Sequence, residues 1–144
     1  MSLLERVPVR EQKPEDRAKN FDEVCYGYNE DEARKEAERC LGCKKAKCVE
    51  GCPVGIDIPG FIEKLKQGCP VEAYQIISQY SALPAVCGRV CPQESQCEAR
   101  CVRGKKGGPV SIGKLERFAA DYAREHGIHP QKTAESNGKQ IAVI

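Results

Sequence analysis

Two stretches decide how this chain folds: CLGCKKAKCVEGCP at residues 40–53 and CGRVCPQESQCEARC at residues 87–101. The first spaces its cysteines C-x2-C-x4-C-x3-C and closes on Pro53. The second runs C-x3-C-x5-C-x3-C, with Pro92 after its second cysteine. Of the ten cysteines, only Cys25 and Cys69 stand apart from these runs. Residues Met1 to Arg10 carry charge and Pro8 but no apolar core of a secretory signal. The expected compartment is therefore the reducing cytoplasm, where thiols stay free, bind metal or do redox chemistry.

Three chemistries compete for such thiols. Disulfides would suit a small core, but a reducing compartment argues against them. Structural zinc prefers two C-x2-C knuckles separated by a long loop, and only Cys40 and Cys43 make one here. A zinc-stabilised interaction module is the alternative reading, and a chain binding no cofactor would be largely unfolded or rescued by disulfides. Iron–sulfur clusters fit best. A cubane needs thiolates converging on a wide object, so a loop wraps it and a distant residue completes the set. The Cys-Pro ending matches the ferredoxin run C-x2-C-x2-C-x3-C-P, whose last cysteine serves the other cluster. Two such runs predict two clusters, with ligands crossing between the segments.

The rest of the composition narrows the function. In 144 residues, 23 Lys and Arg against 21 Asp and Glu give a net charge of +2. No strongly basic surface for nucleic acid follows from that balance. A mean hydropathy of −0.54 and the absence of a long apolar run exclude a membrane helix. Three Phe, five Tyr and no Trp make a thin core, which suits a domain that depends on its cofactors to fold.

The body reads as all-α, a small helical domain. Residues 1–24 are polar and read as an N-terminal arm. Asn29 with Glu32 three residues on makes a variant capping box for a helix from Glu30 to Leu41, ending at Gly42. Asp57 caps a second helix through Ile62 and Leu65, stopped by Gly68. Pro70 opens a third with Ala73, Ile76, Ile77 and Tyr80 on one face. Pro84 opens a short turn carrying Cys87 and Cys91. Ile112, Leu115, Phe118, Ala119, Tyr122 and Ala123 stripe a last helix that Gly127 ends. The tail from Lys139 to Ile144 reads as an apolar strand, the first of a parallel sheet whose remainder is missing. His126 and His129 lie outside the cysteine runs and read as surface residues. Cys25 and Cys69 read as small or incidental. Lys44, Lys45 and Lys47, with Arg103, Lys105 and Lys106, read either as a solvated loop or as charge that offsets anionic clusters or docks an acidic electron carrier. No acid–base pair, nucleophile or substrate pocket is evident, so no catalytic site is expected in this chain.

The two cysteine runs, followed by Gly108-Pro109-Val110-Ser111-Ile112-Gly113 and then Leu115-Glu116, resemble one module over roughly Pro14 to Ile144. It is the N-terminal iron–sulfur domain of the small-subunit family of NADPH-dependent glutamate synthase. The module is shared with dihydropyrimidine dehydrogenase and electron-bifurcating ferredoxin:NADP oxidoreductases. The resemblance implies a helical domain with two [4Fe-4S] clusters over residues 25–130. It implies that residues 131–144 are a linker and first strand of a truncated FAD/NAD(P)-binding domain, with FAD and NADPH bound in the missing part. By the family pattern Cys40, Cys43, Cys48 and Cys101 share one cluster. Cys52, Cys91 and Cys97 share the other with Glu116, where plain counting of cysteines would nominate Cys87. The implied role is electron relay between a flavin of the same polypeptide and a large subunit or other electron-transfer subunit, with ferredoxin as a further partner. No nucleic acid and no membrane enter that role.

Overall fold

The computed structural model describes residues 5–130, 135 and 138–142. The chain opens with a short strand, β1 (Arg10–Glu11), and one helical turn, α1 (Pro14–Arg17). A second strand, β2 (Cys25–Gly27), pairs antiparallel with β1. This ribbon departs from the all-helical expectation, because strands of two and three residues are too short to carry an alternating pattern. Its loop is closed by Gln12, a buried side chain that bonds Asn20 and the carbonyls of Asp22 and Glu23. The arm also packs on the body: Val7 lies in the core, and the Tyr28 hydroxyl donates to its carbonyl at 2.8 Å.

Helix α2 (Glu30–Ala37) starts as expected, with the Asn29 side chain accepting from Glu32 N and the Glu32 carboxylate accepting from Asn29 N. It stops short of Leu41, so Cys40 already lies in the loop. A single turn, α3 (Lys47–Glu50), follows. Then come α4 (Ile58–Lys66), capped by Asp57 on Gly60 N at 3.1 Å, and α5 (Pro70–Ser78). Because α5 ends at Ser78, Tyr80 lies past the helix and is exposed, against the expected apolar face. The segment from Pro84 is a helix, α6 (Pro84–Val90), rather than a turn. Cys87 lies in α6 and Cys91 at its end, and three 3-10 turns (Gln93–Ser95, Glu98–Arg100, Val102–Lys105) follow, the middle one flanked by Cys97 and Cys101. The last helix, α7 (Ile112–Glu125), ends near Gly127, whose φ of +65° suits a residue without a Cβ. Residues 139–142 adopt no regular secondary structure, and Val143 and Ile144 of the expected strand lie outside the described residues.

Helix α7 is the spine. Its buried face (Leu115, Ala119, Ala123) meets α5 and α6, and α4 packs on α5 and α2 through Phe61, Ile62 and Leu65. Small alanines on α7 let the helices approach closely, and large side chains from α4 fill the remaining space. The interior also holds an ion pair. Glu36 and Arg39 are both fully buried and paired. The Glu36 carboxylate also accepts from Val7 N at 2.7 Å and Ser111 N at 2.8 Å. Arg39 donates to the carbonyls of Gly107, Gly108 and Pro109. One ion pair thus ties the arm, α2 and the Gly107–Ser111 loop together, with its remaining valences met by backbone groups, the condition under which a buried pair is tolerated. A second ionic cluster fastens the ribbon. Arg89 of α6 bonds both Glu23 and Asp121, and Arg117 donates to Cys25 O at 2.8 Å. The Arg89 guanidinium holds the Glu23 carboxyl below its ordinary range.

Candidate metal centre

The two cysteine runs meet because two backbones touch. A Cβ placed on Gly51 would stand 2.7 Å from the Gln96 carbonyl oxygen. Only glycine lets α3 and the turns around Gln96 lie that close. Cys48 and Cys52, one helical turn apart beside Gly51, therefore face the run from Cys91 to Cys101.

The first group of thiols lines one cavity. Its walls include Cys40, Cys43 and Cys48 from the loop after α2, and Cys101 from the second run. Leu41, Ala46, Pro59, Val102 and Val110 add apolar surface, while Lys47, Arg100 and Arg103 stand at its edge. Arg103 donates to Arg39 O at 2.8 Å, which fastens this wall to α2. Burial pushes the Cys40 thiol up, and Cys48 is pushed up to about 11 by burial and by the neighbouring Cys101 and Cys40.

The second group lies on the other side of Cys52. Cys91 is pushed up to about 11, first by burial, then by Cys87, Glu116 and Cys52. Cys97 is pushed up to about 12 by burial, Glu98, Cys52 and Glu116. These mutual effects put Cys52, Cys87, Cys91, Cys97 and Glu116 in one neighbourhood. Glu116 projects from the second turn of α7, is 7% exposed, and burial pushes its carboxyl up to about 7. Its Oε1 is buried with no hydrogen-bond partner. A native core rarely tolerates an orphaned carboxylate oxygen unless it serves something else.

Among the described residues no three of these side chains are drawn together tightly enough to hold a single metal ion; the donor chemistry of both groups suits a wider cofactor, a cluster of several irons. Each group offers several donors that become anionic on losing a proton, and binding iron would take the place of those protons. All-thiolate surroundings suit iron–sulfur chemistry, and a carboxylate is a harder member of the same anionic set. Cys40, Cys43, Cys48 and Cys101 come together, as do Cys52, Cys91, Cys97 and Glu116. Cys87 joins the second group although the family pattern leaves it out. Cys25 lies away from both, its Sγ accepting from Lys114 Nζ at 3.9 Å, and Cys69 stands beside Gln67 O. His126 and His129 are exposed, the former stacked on Tyr122 with centroids 4.0 Å apart. Sequence reasoning missed Glu36, Arg39 and Glu98 as buried polar residues that shape the walls. Glu98 accepts from Gly113 N at 3.3 Å and pairs with Arg6. Among the described residues no helix is long and apolar enough to cross a membrane.

Residues 17–128 match the family model described as dihydropyrimidine dehydrogenase domain II, 4Fe-4S cluster. The chain is 36% identical to the glutamate synthase [NADPH] small chain of Escherichia coli (strain K12), over 98% of this chain and 30% of that protein. It is 31% identical to the corresponding small chain of Azospirillum brasilense, over 97% of this chain and 29% of that one. It is 34% identical to the NAD-dependent dihydropyrimidine dehydrogenase subunit PreT of Escherichia coli (strain K12), over 86% of this chain and 30% of that subunit. The chain thus spans about three-tenths of the length of these curated relatives.

Proposed function

This chain belongs to the dihydropyrimidine dehydrogenase domain II family of 4Fe-4S domains, and from that premise we propose that it is a two-cluster electron relay. Cys40, Cys43, Cys48 and Cys101 hold one [4Fe-4S] cluster. Cys52, Cys91, Cys97 and Glu116 hold the other. The relay runs between a flavin in an FAD/NADPH module and the redox centre of a partner subunit, in the manner of a glutamate synthase small chain. Residues 25–130 form the di-cluster body, residues 1–24 its arm, and residues 131–144 lead into the nucleotide-binding module.

One observation carries the reading: the four thiols around the first cavity come from both cysteine runs, and Cys52 is left to the second group with Glu116. When bound, the clusters supply one-electron storage at low potential. The chain's own residues do the rest. Buried Val110, with half-buried Ala46 and Pro59, keeps water from the inner wall of the first site, which lowers the local dielectric. Lys47, Arg100 and Arg103 offset the negative charge of a thiolate-ligated cluster. Glu116 gives the second site a harder donor, so the two clusters differ in potential.

Purification without oxygen, with iron, acid-labile sulfide and zinc measured beside the visible spectrum, tests this. About eight iron and eight sulfide per chain are expected for two cubanes. Zinc without sulfide would replace the relay with a structural zinc module, and about four iron would remove the second cluster.

A further inference from the structure

The second site has one donor more than a four-iron cluster takes. Cys52, Cys91, Cys97 and Glu116 fill four positions, yet the Cys87 thiol lies close enough to Cys91 to help push that thiol up. Cys87 and Cys91 sit four residues apart at the end of α6, with Cys91 N donating to Cys87 O at 3.1 Å, so their side chains leave the helix on one side. The backbones of α6 and α7 touch one residue away from Cys87 and from Glu116. A Cβ on Gly88 would stand 2.7 Å from both Arg117 N and Arg117 Cβ. Cys87 and Glu116 are therefore neighbours across the contact. Their restraints differ in kind. Gln93 Nε2 pins the Cys87 carbonyl at 2.9 Å, while the Cys87 sulfur has only a long 3.8 Å contact to Ser81 Oγ besides Cys91. Glu116 Oε1 has no protein partner. Neither group is bound to a competing structural role.

We propose that Cys87 is a reserve ligand of the second cluster, its sulfur taking the coordination position of Glu116 whenever that carboxylate is withdrawn. The inference rests on the two-cluster reading above. In the exchange one iron–oxygen bond breaks and one iron–sulfur bond forms. The thiol proton passes to the departing carboxylate, no electron is transferred, and the ligand set keeps four anions. A thiolate is a soft donor that suits iron, so Cys87 can fill the position once the carboxylate has left it. The site therefore has two ligation states of different potential.

Four anaerobic preparations test this: the natural chain, Cys87→Ala, Glu116→Ala and the double variant. Iron and sulfide are counted, and reduced samples are examined by electron paramagnetic resonance. The natural chain and both single variants should keep about eight iron, with the second-cluster signal shifted only in Glu116→Ala, and the double variant should fall to about four. An unchanged first-cluster signal in all four shows that the fold is intact. A fall to about four iron in Glu116→Ala alone, or about eight in the double variant, overturns the inference while leaving two clusters in the natural chain. About four iron in the natural chain overturns the two-cluster reading itself, and the reserve ligand with it. Alkylation of the native protein, read by mass spectrometry, gives a second measure. Cys87 should react in the natural chain and react about tenfold more slowly or less in Glu116→Ala, because ligated sulfur is not a free nucleophile. Equal reactivity in both overturns the proposal.

Discussion

Replacing Arg39 with leucine tests whether the buried ion pair holds the wall of the first cavity. Arg39 is 1% exposed and Glu36 is fully buried. In Arg39→Leu the Glu36 carboxylate keeps Val7 N and Ser111 N but loses its counter-charge. The carbonyls of Gly107, Gly108 and Pro109 lose their donor, but these residues are exposed or half-buried and water can meet them. The dominant loss is one partner of a buried pair, about 3–5 kcal/mol. A small domain has about 5–15 kcal/mol in all, so the variant is left marginal. With a urea dependence of about 2 kcal/mol per molar, the midpoint should fall by about 2 M. Far-UV circular dichroism under argon reads that shift. The damage should also be local, because the Arg39 side chain holds the Gly107–Pro109 carbonyls and Val110 of the cavity wall follows the released loop. The first-cluster signal should go before the second. The double variant Glu36→Gln/Arg39→Met, which leaves no charge unpaired, should cost less than Arg39→Leu alone. An Arg39→Leu protein within about 1 kcal/mol of the natural chain, with both signals intact, would refute this account.

Two further outcomes are expected. Gly88→Ala places a methyl 2.7 Å from the Arg117 backbone, so α6 must move off α7 at a cost of about 1–3 kcal/mol; the second-cluster signal should broaden or vanish while the first stays, and an unaltered spectrum would mean the contact is slack. Tyr28 is held protonated by burial, then by Glu36 and Glu98 against the opposing Ser111 and Arg6, and its hydroxyl is pushed up to about 12 from 10.0. Above pH 10 the unfolded chain loses this proton first, so stability falls as pH rises through the folded value. At about 1.4 kcal/mol per unit the loss approaches about 3 kcal/mol. Tyr28→Phe should show a shallower alkaline slope by that amount in denaturation curves at pH 9 to 12, and identical slopes would contradict it.

The helices legible in the sequence were those with local chemistry to mark them. Asn29 with Glu32, Asp57, Pro70 and Gly127 act within one turn of their own position, so reading neighbours suffices. The ribbon was not legible, since Arg10–Glu11 and Cys25–Gly27 gain their structure from each other across the loop between them. Helix α6 was missed because Gly88 sits at its centre, where glycine weakens a helix, and its reason is the distant Arg117 backbone. Glu36 and Arg39 lie in a charge-rich stretch where nothing local marks them as interior; only the Gly107–Ser111 loop folding over them makes them so. At the site, spacing alone marked the thiols as ligand sets, but it carried no sign of Glu116. That residue entered through the family pattern, and its burial and missing partner then gave it physical support. The nearness of Cys87 to Glu116 follows from how α6 crosses α7, which nothing in either segment encodes.

The contact of Gly51 with the Gln96 carbonyl has a consequence for motion. Cys48 and Cys52 share one short turn, and Cys97 and Cys101 share the turn pressed against it, so each pair reaches into both sites. No linker separates the two centres, and no hinge can open between them without breaking both. In the two-cluster relay proposed above, the distance an electron crosses inside this domain would be fixed by covalent structure and by one glycine. Conformational gating of such a relay would then act at its two outer ends rather than within the domain.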